Sequence, residues 1–187
     1  ALADMEIGTL AYQAQDYETA YKELLPLAEE GNDEAQLMIG NLYSDGNYVE
    51  QDPKTALSWY EKSASGGNTA AQVALGTSYL EGIGVERNDE VAARWFKQAA
   101  EENSDLAQML YGLLHNEGRG VEKDPAKTYQ WLLIAANNPE GTTWSKLSEE
   151  LAQHLKKTLT PEEILKAEAF ANSWKPKTKS TETESKE

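Results

Sequence analysis

The chain has no cysteine among its 187 residues. A disulfide, a thiolate nucleophile and a Cys-ligated metal are therefore excluded, and redox chemistry says nothing about its compartment. Histidine is scarce, with only His115 and His154. No apolar run reaches the roughly 18–20 residues that cross a bilayer as a helix, so direct membrane insertion is not expected. Positive charge is also thin: 17 Lys+Arg stand against 32 Asp+Glu, a formal net charge of −15. Such a surface repels phosphate backbones, which makes nucleic acid and anionic membrane poor partners. The acidity reads first as a source of solubility and second as recognition of a basic partner.

What the chain does have is a repeat. Residues 33–68, 69–104 and 105–140 align without insertion or deletion, and eight columns are identical. They begin with Ala35/Ala71/Ala107, Gln36/Gln72/Gln108, Gly40/Gly76/Gly112 and Gly46/Gly82/Gly118. The other four are Val49/Val85/Val121, Glu50/Glu86/Glu122, Trp59/Trp95/Trp131 and Ala64/Ala100/Ala136. A period in this range marks a solenoid, whose units bury their apolar faces only against neighbours.

Each unit reads as helix, loop, helix. Ala35, Met38, Ile39, Leu42 and Tyr43 follow the i, i+3, i+4, i+7 spacing of an amphipathic helix. Asn32, Asn68 and Ser104 precede the first helices as N-caps, and Asp52, Asn88 and Asp124 precede the second. Pro53 and Pro125 take the favoured first helical position. Gly46, Gly82 and Gly118 close the first helices where a left-handed residue is wanted. Gly40, Gly76 and Gly112 lie inside those helices, where each costs about 1 kcal/mol relative to Ala. Close approach of the partner helix is the simplest compensation. The tryptophan column is expected to supply core knobs that meet these small residues, and the valine column to tuck into the core.

The ends depart from the pattern. One period back, Asp16, Ala20, Ala28, Gly31 and Asn32 fall under Asp52, Ala56, Ala64, Gly67 and Asn68, and Gly8 follows at a shorter spacing. Residues 4–32 are therefore a helix pair with a shortened loop. Toward the C-terminus Thr143 to Thr158 reads as a helix, and Thr160-Pro161-Glu162-Glu163 is a capping box opening another to about Trp174. From Lys175 onward nothing is apolar, so 175–187 is expected to be disordered. Five helix pairs result, at 4–13/17–30, 33–45/53–66, 69–81/89–102, 105–117/125–137 and 143–158/161–174.

Ala-Gln, the mid-helix Gly, Tyr79-Leu80-Glu81-Gly82-Ile83-Gly84-Val85, a cap, Ala92, Trp95-Phe96 and Ala99-Ala100 together resemble the Sel1-like repeat, a 36-residue relative of the tetratricopeptide unit. The resemblance covers residues 33–140, with residues 4–32 similar to a tetratricopeptide-like start and 141–174 to the capping helices of bacterial members. It implies an all-α, right-handed superhelical solenoid that holds protein partners, in bacteria often in signalling, envelope or host-interaction roles. Asn47-Tyr48 in place of the second loop glycine, His115 in the tyrosine column and Thr128 in place of Ala are departures.

Chemistry is not evident. No nucleotide loop, Gly-x-Ser-x-Gly or His-x-x-x-His occurs, and no Ser-x-x-Lys answers to the β-lactamase-like label some relatives have carried. The two-glycine loops lack the preceding strand and following Lys-Ser/Thr of a phosphate cradle. No catalytic, cofactor-binding or metal-binding residue is expected. The expected function is a non-enzymatic adaptor that binds a protein or peptide in a concave groove lined by first helices. Leu37, Asn41, Val73, Thr77 and Met109 are its candidate contacts. A cell-wall-directed hydrolase is the competing class, and would need an acid–base pair in that groove. Ala1-Leu2-Ala3 fits the small-x-small pattern before a secretory cleavage site, from which a periplasmic or secreted protein, mature from Asp4, is expected.

Overall fold

The computed structural model describes residues 4–139 and 141–177. Ala1-Leu2-Ala3, Glu140 and the tail from residue 178 lie outside the described residues, and the export pattern and most of the expected disordered segment fall there. Among the described residues are ten α-helices and no strand. They are α1 (Met5–Gln13), α2 (Tyr17–Glu29), α3 (Asp33–Asp45), α4 (Pro53–Ser65), α5 (Thr69–Glu81), α6 (Asp89–Glu101), α7 (Asp105–Glu117), α8 (Pro125–Ala136), α9 (Thr143–Lys156) and α10 (Pro161–Ser173).

Capping explains why these ends lie within two residues of the expected ones. The side chains of Asn32, Asn68 and Ser104 accept from the N–H of Ala35, Ala71 and Ala107 at 2.8, 3.1 and 3.3 Å. Those of Asp52, Asn88 and Asp124 accept from Thr55, Val91 and Lys127 at 3.2, 3.0 and 3.0 Å. Each such cap is worth about 1 kcal/mol. At the C-terminal box Thr160 and Glu163 exchange their two bonds reciprocally. The inter-helix loops close the same way three times: the N–H of Asp52, Asn88 and Asp124 donates to the carbonyl of Tyr43, Tyr79 and His115 at 2.9, 2.8 and 2.8 Å.

The second glycine of the loop has a physical reason. Gly84 has φ +73°, and a Cβ there would stand 2.4 Å from the Pro53 carbonyl oxygen. In the first repeat that column holds Tyr48, which keeps φ at 67° without a glycine. A non-glycine residue in the left-handed region costs on the order of 1–3 kcal/mol. Its half-exposed ring leans on Tyr21, with centroids 5.4 Å apart.

The chain forms two compact units, Ala1–Trp95 and Phe96–Glu187, whose border falls inside α6. In the first, Ala20, Leu24 and Ala28 of α2 meet Ala35, Ile39 and Leu42 of α3. A second cluster joins Ala56, Tyr60 and Ala64 of α4 to Ala71 and Leu75 of α5. Mid-helix glycine makes the pairing tight. A Cβ on Gly8 would lie 2.6 Å from Leu24, and one on Gly40 would lie 2.6 Å from the Tyr60 ring. The buried Gln36 side chain then donates to the Ala28 carbonyl at 2.9 Å, tying α3 to the end of α2.

The second unit uses the same devices. A Cβ on Gly112 would approach Trp131 Cβ at 3.1 Å, and Gln108 donates to the Ala100 carbonyl at 3.1 Å. Met109, Tyr129, Leu132, Ala152 and Ala167 form its core. Lys156 of α9 and Tyr129 of α8 both reach Glu168 of α10, at 2.8 and 3.1 Å. His115 is buried, its Nδ1 3.0 Å from the Glu122 carbonyl oxygen.

Two expectations are corrected by this packing. The tryptophans are not equal core knobs: Trp131 is buried between Tyr111 and Trp174, whereas Trp59 and Trp95 are half-buried covers. Trp59 lies on the edge of the α2–α3 core with the Lys62 ammonium 3.9 Å from its ring centroid, and Tyr60, one residue on, is the knob that faces Gly40. The valine column is half-buried, with Val49 packed against the α2–α3 core as expected. Nor does the ordered chain stop at Trp174. Lys177 returns to the end of α6, its N–H donating to the Glu101 carbonyl at 2.7 Å and its ammonium to the carboxylate at 2.6 Å.

Replacing Gly40 by Leu forces the buried, hydrogen-bonded Tyr60 ring away and is expected to cost on the order of 1–3 kcal/mol or more. A thermal melt of Gly40→Leu checks this, and an unchanged midpoint would contradict the close approach.

Candidate functional site

The first helices of the N-terminal unit carry a polar, aromatic face. Asn41 of α3 is its centre. It accepts the Tyr60 hydroxyl at 2.9 Å, an arrangement that follows from the Gly40 contact one residue earlier. Burial raises the Tyr60 hydroxyl above its ordinary range, with Ser44 as a hydrogen-bond partner acting the other way and the Asp45 charge adding to the rise. Tyr12 of α1 behaves alike: burial raises it, Asn41 opposes, and Asp45 raises it further. Asp45 is exposed. The Tyr12 ring stands edge-on to Tyr17 at 5.8 Å. Asn41, Ser44 and Asp45 share one face of α3 at i, i+3 and i+4 spacing, and the Tyr60 hydroxyl is bonded to the first of them. The set offers hydrogen bonds, aromatic surface and one negative charge, and no nucleophile paired with a base.

The five expected contact positions are placed unevenly. Thr77 is exposed on α5, its hydroxyl donating to the Val73 carbonyl at 3.0 Å. Asn41 is half-buried in the face just described. Leu37 is half-buried against the α4–α5 cluster. Val73 is 9% exposed and Met109 only 4%, the latter packed with Tyr129 and Leu132 in the core of the second unit. Met109 and Val73 are thus packing residues first, because their helix face turns inward further than the repeat spacing implies. Tyr12, Ser44, Asp45 and Tyr60 were not among the expected contacts. Nothing in the repeat pointed to the shortened N-terminal pair or to a second-helix tyrosine.

A second aromatic group lies on α2, α3 and the first loop. The hydroxyls of Tyr21 and Tyr43 are 3.1 Å apart, and Tyr48 covers Tyr21. The shared hydrogen bond, and burial after it, push the Tyr21 hydroxyl up to about 12. Among the described residues no three His, Asp or Glu side chains converge to hold a metal, and no helix is long and apolar enough to cross a membrane.

Comparison with known proteins identifies the class. The Sel1 repeat matches residues 33–68, 69–104 and 105–139, more than half of the chain. The chain belongs to the Sel1 repeat family and is an all-α solenoid. Proteins of this family are generally protein-interaction scaffolds. One similar solved structure is a protective antigen present in uropathogenic Escherichia coli strains displaying an SLR fold, with a TM-score of 0.74 and 30% identity, covering 82% of this chain and 32% of that one. Another is a Sel1 repeat protein from Oxalobacter formigenes, with a TM-score of 0.69 and 36% identity, covering 75% of this chain and 56% of that one. The chain spans less than two thirds of either. No curated protein matches it.

The Tyr21–Tyr43 bond has a consequence in alkali. A phenol ordinarily ionises near 10, and Tyr21 is raised to about 12 in the folded chain. The folded state therefore favours the neutral form, a contribution fully present below about pH 10 and lost as pH rises toward 12. Thermal stability is expected to fall across that interval in the wild type and less steeply in Tyr21→Phe. Identical slopes in the two melting series would contradict the assignment.

Proposed function

We propose that this chain is a non-enzymatic adaptor that holds a protein or peptide partner along the first-helix face of its N-terminal unit. The observation that carries this is the division of labour within the repeats. Their small residues, glutamines and second-helix aromatics are committed to packing, while Asn41, Asp45 and Thr77 remain at or near the surface of the first helices. Family membership supports a protein as the partner. A bacterial envelope or secreted setting is part of the proposal. It is supported by the Ala1-Leu2-Ala3 pattern and by the likeness to the protective antigen.

The competing class, a cell-wall-directed hydrolase, has no acid–base pair on this face to support it. Turnover of peptidoglycan or β-lactam substrates is expected to be absent, and activity abolished by one substitution would overturn the adaptor assignment. A photo-crosslinking side chain at Thr77, used in the native envelope fraction and read by mass spectrometry, is expected to give a discrete protein adduct. Thr77→Lys should weaken that association while leaving the melting temperature unchanged, since Thr77 is exposed. Met109→Glu should instead cost more than about 3 kcal/mol of stability, because it buries an unpaired charge. Loss of binding without loss of fold in Met109→Glu would contradict its place in the core.

A further inference from the structure

The charge of the chain is unevenly divided. Residues 1–95 hold 17 Asp+Glu against 5 Lys+Arg, a net −12, whereas residues 96–187 hold 15 against 12, a net −3. The imbalance is sharper at the start: through Pro53 there are 12 acidic residues and one base, Lys22. That base is already engaged by Glu18 at 2.6 Å. The second unit answers its acids from within, with Lys127 to Asp124, Lys156 to Glu168, Lys166 to Glu162 and Lys177 to Glu101. A general need for solubility would not place 12 of the 15 excess negative charges in one half. A field of several kT over one unit raises the local concentration of cations and of cationic segments.

From this charge complementarity we infer that the face formed by Tyr12, Asn41, Ser44, Asp45 and Tyr60 receives an arginine- or lysine-bearing segment of a protein partner. The inference rests on the adaptor reading and names the chemistry of what that face holds. Asp45 supplies the carboxylate for a guanidinium or ammonium: it is exposed and lies one helical turn after Asn41 on the same face of α3. The Tyr12–Tyr17 pair supplies aromatic surface on which a cation can lie. The Asn41 amide, fixed by the Tyr60 hydroxyl, can turn its remaining capacity to the segment's backbone. The same face would repel an acidic segment, so it also discriminates.

The test uses the full chain and two short synthetic peptides, an Arg-Ser repeat and a Glu-Ser repeat. The Arg-Ser peptide is expected to bind and to shift the Asn41 side-chain amide signal in a nuclear magnetic resonance titration. Asp45→Lys should weaken binding by about tenfold, the scale of losing an exposed ion pair and setting a like charge in its place. Glu30→Lys makes the same charge change at the exposed end of α2 and should alter binding by about twofold at most. Asp45→Asn serves the same purpose if the lysine variant melts early. Equal losses at Asp45 and Glu30 would mean that the field of the unit acts without a site and would overturn the inference. So would equal binding of the Glu-Ser peptide. The Thr77 crosslink separates the two levels: an adduct through a neutral or acidic segment sinks this inference and leaves the adaptor, whereas no adduct removes both.

Discussion

The structure depends on side chains that are missing. Where first and second helices cross, Gly8, Gly40 and Gly112 leave room that a single methyl group would fill, and Leu24, Tyr60 and Trp131 occupy it. Each mid-helix glycine gives up about 1 kcal/mol of helix propensity. Apolar contact and dispersion at the crossing offset that loss, because packed interiors reward close approach. The constraint then propagates outward. With the Tyr60 ring pressed against Gly40, its hydroxyl arrives at Asn41, and the first-helix face is organised as a by-product of the core.

Polar groups inside the repeats are used to connect, not to react. Gln36 and Gln108 each reach a carbonyl eight residues earlier, at the end of the preceding helix, and so pin one helix pair to the helix before it. A buried amide with a partner contributes modestly, but the same amide left without one would be costly. The loop bonds from Asp52, Asn88 and Asp124 settle the backbone in the same way. With these groups occupied, the polarity left over lies at or near the surface of the first helices, at Asn41, Asp45 and Thr77.

Much of this was legible in the residues. Caps, loop glycines and helix periodicity are local, so their positions along the chain settle helix type and ends almost without reference to neighbours. The mid-helix glycines also announced a close approach. What periodicity could not resolve was which of two adjacent aromatic residues makes it. Trp59 and Tyr60 differ by one residue on the helix wheel, and only the crossing angle decides that Tyr60 faces Gly40 while Trp59 stays half-exposed. The same limit hid the burial of Val73 and Met109, whose column borders the buried stripe closely enough for neighbouring large side chains to cover it. Tyr48 was visible as a departure, yet its left-handed backbone and contact with Tyr21 arise only once α2 and the loop are adjacent. Lys177 was hidden because composition describes a polar segment without saying that one of its lysines has a carboxylate within reach.

The Gly40–Tyr60 contact couples core packing to the first-helix face, and a double-mutant cycle tests that coupling most directly. Gly40→Ala and Tyr60→Leu each remove the native fit, the first by adding a methyl group and the second by withdrawing the ring it would strike. If the two residues meet as described, the double variant should be more stable than the sum of the single losses by roughly 0.5–3 kcal/mol, the range of coupling for residues in contact. Additivity within about 0.3–0.5 kcal/mol, the behaviour of independent sites, would show that the glycine and the ring do not constrain one another and would contradict the account.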